Sequence, residues 1–334
     1  IKQNTTYKQT ELGLIPEDWE VKKLGELGFF FKGKGVPKTS IETEGKYKCL
    51  TYGDLYTKYD YVIKNVKSFI NDASDSQEIN FGDICIAGSG ETIEDIGKCA
   101  VFIDDKTGYA GGDIIIFRSD ENPLTLSYIL NSDLCKRQKY RLGQGHSVVH
   151  IYSSQLQNLK IPLPPLPEQK KIADCLSTWD SAIEKQSALI NALTDRKKAL
   201  MQQLLTGKKR LPGFSDEWKE VKLGEISIKK SSTLQANSLE ENNGEFKVYG
   251  ASGIVANIDF YNESEEYIGI VKDGSGVGNL MLCDAKSSVL GTLDIIKNNK
   301  KRNLLFIYLI LSKIHFEKYK VGGAIPHIYY RDYS

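Results

Sequence analysis

The longest regular pattern of apolar and polar positions runs from Ile172 to Leu204. It steps by four and three through Ile172, Leu176, Trp179, Ile183, Gln186, Ile190, Leu193, Lys197, Leu200 and Leu204. Eight of these ten positions are apolar, and a 3.5-residue repeat sustained this long predicts a coiled-coil seam on one helix. Gln186 and Lys197 interrupt the seam; polar seam positions penalise misaligned partners and so help fix register. Pro167 fits the first helical position, and Glu168 complements the positive end of the helix dipole. Gly207 reads as the C-terminal cap, with Lys208, Lys209 and Arg210 beside the negative end. A helix packed on its own domain shows a wider apolar stripe and rarely runs so far between caps. At about 1.5 Å per residue, residues 168–206 span roughly 58 Å, the length of a spacer between two bodies.

On both sides of this helix the patterns are shorter. Strands are expected at Asp83 to Ala87, Val101 to Ile103, Ile114 to Phe117, Ile268 to Val271 and Asp294 to Ile296, with helices at Leu124 to Tyr140 and Leu304 to Tyr319. There is no regular βαβ alternation, so the expected class is α+β with mixed or antiparallel sheets. The two flanks also repeat one another. "LGLIPEDWEVKKLGEL" precedes the first and "LPGFSDEWKEVKLGEI" the second, so Trp19 and Leu24-Gly25-Glu26 have counterparts in Trp218 and Leu223-Gly224-Glu225. "GQGHSVVHIYSSQL" and "VGGAIPHIYYRDYS" match at the trailing ends, His150-Ile151-Tyr152 beside His327-Ile328-Tyr329. The middles hardly match. A period near two hundred residues is too long for a solenoid. It reads as a duplicated domain with different interior loops, the arrangement of two related readers of different targets. The boundaries follow: a first domain over 1–160, a spacer helix over 161–207 and a second domain over 208–334.

Composition excludes more than it selects. The 334 residues are enough for two domains with real cores. Forty-four Lys and Arg against 43 Asp and Glu leave a net charge of +1, so any nucleic-acid surface must be a local concentration of charge. Eighteen tyrosines against two methionines suit contact surfaces, because tyrosine offers a flat apolar face with a polar tip. The six cysteines form no CxxC pair and lie near no suitably spaced His; buried thiols in a reducing cytosol are expected, with neither zinc site nor disulfides. No apolar run reaches transmembrane length. There is no GxxxxGK[ST] loop, and "GSGVGN" at 274–279 fails as a dinucleotide loop because Asn279 replaces the last glycine. Four histidines without metal spacing predict no metal site. Glu91, Glu94 and Asp95 read as a solvated loop, and no catalytic residue is assigned.

The most specific stretches are "YKQTELGLIPEDWEVKKLGE", then "IPLPPLPEQKKIADCLSTWDSAIEKQSALINALTDRKKALMQQLLTGKKRLPGF", then the second Trp-Val-Lys-Leu-Gly-Glu start. Along its whole length the chain resembles a type I restriction-modification specificity subunit. The resemblance implies two target-recognition domains joined by long helices that pair antiparallel, each domain reading one half of a split DNA site. It implies a non-catalytic, cytoplasmic subunit that holds two methyltransferase subunits and, with them, restriction subunits. No cofactor is then expected in this chain; S-adenosylmethionine belongs to the methyltransferase and ATP to the restriction subunit. The helix becomes a ruler, since a length near 58 Å covers one to two turns of DNA at roughly 34–36 Å per turn. The resemblance also implies a second long helix after the second recognition domain, where the sequence ends at Ser334. Either further residues follow, or the form is truncated and the seam pairs with another chain or stays an exposed apolar stripe.

Candidate DNA contacts follow from basic and glycine-rich loops. "FFFKGKGVPKTS" offers Lys32, Lys34 and Lys38 for phosphates, and "IKKSSTLQANS" offers Lys229, Lys230 and Ser231 at the corresponding place. Ser89 and Ser275 sit in Gly-Ser-Gly turns after strand-like runs, and "RLGQGHSVVH" adds Arg141, Gln144, His146 and Ser147; Arg and Gln are good base readers. Lys320 completes the set. His150 and His327 are expected to be satisfied structural side chains, and Tyr52 and Tyr249 to pack. Two rival readings are a nuclease or methyltransferase fragment, which lacks its motif here, and a coiled-coil scaffold whose end domains bind proteins.

Overall fold

A computed structural model describes residues 6–145, 148–239, 244–299, 302–323 and 325–334. The chain divides into two compact units, with the boundary between Leu189 and Ile190, inside a helix that runs unbroken from Leu166 to Leu204.

In the first unit a five-stranded sheet has the order Gly28–Lys32, Ile114–Ser119, Ile84–Ala87, Cys99–Phe102, Val62–Ile63. Its pairs are antiparallel except the last, which is parallel. The central strand Ile84–Ala87 is buried on both faces, which is why it reads as a continuous apolar run rather than an alternation. Its period of two divides the core. Ile86, Val101 and Phe117 pack on one side with Leu126 and Leu130. Cys85, Ala100 and Ile116 pack on the other with Leu50 and Leu55. A second sheet has the order Phe69–Ile70, Tyr47–Leu50, Gly108–Ala110, Gln77–Ile79, with its middle pair parallel.

The second unit repeats this plan. Its main sheet has the order Ser227–Ser231, Leu293–Asn298, Tyr267–Val271, Leu280–Cys283. Its smaller sheet has the order Gly253–Ile258, Phe246–Gly250, Ser288–Val289, again with a parallel pair. The registers superpose: Gly28 lies opposite Ser119 as Ser227 lies opposite Asn298. Phe30 therefore corresponds to Lys229, Ile115 to Asp294, Gly88 to Lys272 and Ser89 to Asp273. The helices Pro123–Leu130 and Leu304–Leu311 start alike, with Asn122 and Asn303 side chains accepting from the backbone N–H of Thr125 and Phe306.

Two expected helices are shorter than their patterns. Leu124 to Tyr140 is two helices, Pro123–Leu130 and Asp133–Leu142, because the Asn131 side chain bonds the backbone of Cys99 and interrupts the run. Leu304 to Tyr319 ends as an α-helix at Leu311 and resumes as a short 3₁₀ turn, Phe316–Tyr319. All six cysteines are free; five are buried and Cys175, on the long helix, is exposed, against expectation. Burial pushes the Cys49 thiol up to about 11 and that of Cys283 to about 12, which keeps both protonated and inert.

The long helix is anchored in the first unit at its start. Gln169 is 1% exposed. It accepts the Asn122 N–H and donates to Glu121 and the Pro164 carbonyl. The Trp19 indole donates to Glu168 at 3.0 Å, and the Tyr128 hydroxyl donates to Asp180 at 2.6 Å. Its end lies in the second unit. Gly207 there takes φ +69°, the left-handed conformation of a helix cap, and Lys209 N–H reaches back to the Gln203 carbonyl. The seam residues Trp179, Ile183 and Ile190 are 66%, 63% and 56% exposed, so they have no partner helix among the described residues. Within the second unit, Leu193, Leu200, Leu204 and Leu309 border a groove of about 430 Å³.

Candidate nucleic-acid interface

In the first unit, glycine turns gather at one end of the main sheet. Gly33 N–H donates to the Ile114 carbonyl, Gly88 N–H to Asp113, and Ile151 N–H to Gly88. His150 and Gln144 exchange both backbone hydrogen bonds. This ladder ties Lys32, Lys34 and Gln144 to one framework. Gly33 is required for it: a Cβ there would stand 2.0 Å from the Gly111 carbonyl oxygen. Lys32, Lys34, Lys38, Arg141 and Gln144 are all exposed, with Lys38 opening a short turn, Lys38–Ser40. They offer cations and amide donors to a polyanion.

Ser89 does not belong with them. It is 2% exposed, lies on the short strand Ser89–Gly90 paired with Val149–His150, and bonds His150 Nδ1 at 2.9 Å. His150 is thus satisfied structurally. His146 and Ser147 lie outside the described residues.

The second unit keeps the same ladder. Lys272 N–H donates to Thr292 and Ile328 N–H to Lys272, as Gly88 and Ile151 do in the first. Val321 and His327 exchange backbone hydrogen bonds, and His327 Nδ1 lies 2.8 Å from Asp273. Ser275 is exposed in a turn closed by Val277 N–H on the Gly274 carbonyl. Lys229, Lys230 and Ser231 are not a flexible loop: they form the edge strand Ser227–Ser231, and Lys229 matches Phe30 rather than Lys32. Strand alternation sends Lys229 and Ser231 to Asp294 and Lys230 to Glu263. Glu263 is buried, which raises its pKa, but hydrogen bonds from Lys230 and Lys297 outweigh burial and hold it below the usual carboxylate range. Lys320 pairs with Glu317 at 2.6 Å. Tyr249 packs in the core and bonds Asp284.

The residues that sequence reasoning missed are Lys272, Asp294 and Glu263. The available signal was the acid inside the apolar run "LGTLDIIKN"; Glu263 is one of three glutamates in the polar stretch "NESEEY" and carried no such signal. Among the described residues no cluster of His, Cys, Asp or Glu is placed to hold a metal. No described helix is long and apolar enough to cross a membrane.

The sequence matches the family described as type I restriction modification DNA specificity domain twice, over residues 16–195 and 215–332. The chain belongs to that family. The two matches fall on the two copies of the fold, and the family's members confer DNA specificity without a catalytic centre of their own. The MjaX type I restriction enzyme specificity subunit of Methanocaldococcus jannaschii is 29% identical, over 96% of this chain and 82% of its own. The MjaVIII specificity subunit of the same organism is 29% identical over 64% of this chain and 50% of its own. Among solved structures, a type I restriction-modification S subunit from M. genitalium shares the fold with a TM-score of 0.63. It is 21% identical, over 90% of this chain and 77% of that one. A chain from work on complex assembly and conformational transition of the type I R-M system gives 0.51 at 17% identity, over 95% and 88%. Specificity subunits of type I systems bind DNA and assemble with methyltransferase and restriction subunits.

Proposed function

We propose that the two units read the two halves of a split DNA site and that the helix Leu166–Leu204 sets the undefined spacer between them. The observation that carries this reading is the duplication: one strand order and one turn ladder, built twice, with different side chains on the turns. On this reading, phosphate contacts by Lys32, Lys34 and Lys38 fix position in the first unit, while the exposed Arg141 and Gln144 read base edges. Ser275 and the lysine-rich strand Ser227–Ser231 serve the second. The exposed seam Leu176–Leu200 and the groove beside Leu309 are the surface for a partner helix. Two methyltransferase subunits, and restriction subunits with them, complete a cytoplasmic complex. The methyltransferase supplies S-adenosylmethionine and flips out the adenine it methylates; the restriction subunit uses ATP.

The test is selection from a random duplex pool by the chain co-purified with its methyltransferase subunit. Two short defined blocks around a fixed undefined gap are expected. No enrichment from a folded complex would refute DNA reading. The exposed seam supports a second reading, a scaffold whose end units bind proteins; it requires self-association with no salt-sensitive DNA binding.

A further inference from the structure

The second unit carries two lysines paired on a buried acid where the first has a single lysine, Lys32, and no acid. Asp294 is 3% exposed. Its Oδ1 lies 3.3 Å from Lys272 Nζ and 3.4 Å from Lys229 Nζ, and it accepts the Ser231 hydroxyl at 3.0 Å. Lys229 Nζ also donates to Ser231 Oγ at 2.6 Å. Three elements meet there: the edge strand Ser227–Ser231, the strand Leu293–Asn298, and the turn that follows Tyr267–Val271. The positions in the first unit that match Lys229, Asp294 and Lys272 are Phe30, Ile115 and Gly88, which hold no charge, while Ser231 is matched by Lys32.

Edge-strand lysines by themselves are explained by protection of an open sheet edge. That account does not cover Lys272, which leaves an inner strand, nor a buried acid that draws both ammonium groups to one oxygen. Two cations on one carboxylate leave one net positive charge. Each ammonium has three donors, and at 33% and 23% side-chain exposure both reach solvent. The cluster stands beside the ladder at Lys272, Thr292 and Ile328, which matches the ladder at Gly88, Asp113 and Ile151 in the first unit.

We infer that Lys229 and Lys272, held together by buried Asp294 and Ser231, form a cradle for a DNA backbone phosphate that the second unit has and the first lacks. The inference rests on the DNA-reading function proposed above. Asp294 is a positioning residue: it pre-organises the two ammonium groups, so that less side-chain entropy is lost when a phosphate docks. A phosphate contact adds affinity without base preference. The second unit therefore grips the backbone more tightly at its half-site, and the first depends more on its lysine turn, Lys32 to Lys38.

The test is the salt dependence of binding by the chain co-purified with its methyltransferase subunit, using a 30-base-pair duplex of mixed sequence. Lys229→Ala and Lys272→Ala are each expected to reduce the slope of log K against log salt, and the double variant to reduce it by about 0.9 in total, the value of one phosphate contact. The order of preference among selected sites is expected to stay the same. Lys272→Arg keeps the charge and is expected to keep the slope. Lys297→Ala removes a lysine from the other acid, Glu263, and is expected to leave the slope unchanged. Unchanged slopes for Lys229→Ala and Lys272→Ala, in a complex that binds the duplex, would overturn the cradle and leave the DNA-reading function standing. A wild-type complex that binds no duplex would remove both.

Discussion

Gln169 is the side chain whose loss has the clearest calculable cost. It sits in the first turn of the long helix and is almost wholly buried. Gln169→Leu removes two neutral hydrogen bonds, from Asn122 N–H at 2.9 Å and to the Pro164 carbonyl at 2.8 Å, and one charged bond, to Glu121 at 2.7 Å. At about 1 kcal/mol for each neutral bond and about 2 for the charged one, the loss is about 4 kcal/mol. Apolar burial of leucine returns about 1 kcal/mol, leaving a net cost of about 3. With a urea dependence of roughly 2–3 kcal/mol per molar, the midpoint falls by about 1 M. A two-unit chain is not a single two-state system, so the reporter must be local. In a Trp179→Phe, Trp218→Phe background the remaining fluorophore is Trp19, whose indole donates to the neighbouring Glu168. Its transition is expected to move by the full amount, and a transition read from Trp218 alone is expected to stay in place. A Trp19 shift below about 0.2 M would refute the reasoning, as would an equal shift at Trp218. Gln169→Glu sets a carboxylate against Glu121 and the Pro164 carbonyl, both acceptors, so its deficit is expected to shrink as pH falls and the new carboxyl protonates.

Further outcomes follow from other polar groups. Burial works to raise the pKa of Asp104, but hydrogen bonds from Lys48 and from the Val66 and Lys106 N–H groups overcome it, and the carboxyl falls to about 2. The folded value lies below the unfolded 3.8, so about 2 kcal/mol is present above pH 4 and lost as pH falls toward 2; Asp104→Asn is expected to flatten that part of an acid-unfolding curve. Lys139 is 2% exposed and donates to the Gly97 carbonyl at 2.6 Å, and burial lowers its pKa below 10.5. The unfolded chain then binds more protons, so stability climbs with pH between the folded value and 10.5. Lys139→Met is expected to abolish that alkaline rise and to change stability at neutral pH by less than about 1.5 kcal/mol, as measured by chemical denaturation. Asn303→Ala removes the cap of helix Leu304–Leu311 and is expected to cost about 1 kcal/mol in the second unit's unfolding transition.

Signals carried by one stretch of chain were legible in the sequence. The heptad from Ile172 to Leu204, the capping Gly207 and the repeated Trp-Val-Lys-Leu-Gly-Glu start all depend on neighbours in sequence, and the family resemblance rests on the same stretches. Single strands were placed to within a residue or two, because apolar runs such as Ile84–Ala87 are buried on both faces. The contacts that decide exposure come from far along the chain. Ser89 looked like an open turn until His150, 61 residues away, took its hydroxyl. Lys229 and Lys230 looked like a loop until pairing with Leu293–Asn298 made them a strand and gave each an acid. Asn131 looked like helix interior until its amide reached the backbone of Cys99.

The two copies also show which parts of the fold are framework. The repeated tryptophans meet opposite ends of the long helix: Trp19 bonds Glu168 at its start, and Trp218 lies against Gly207 and under Arg210 at its end. The two histidines close the same backbone ladder, although one holds Ser89 and the other Asp273. These contacts serve the scaffold in both units, so both copies keep them whatever DNA is read. At the sheet edge the copies part: Phe30, Ile115 and Gly88 in one become Lys229, Asp294 and Lys272 in the other. A buried acid costs several kcal/mol unless it is paired, so Asp294 depends on Lys229 and Lys272 in the folded unit. The cluster therefore stands or falls as a unit, and under the DNA-reading proposal it is what distinguishes the second unit's strand edge from the first's.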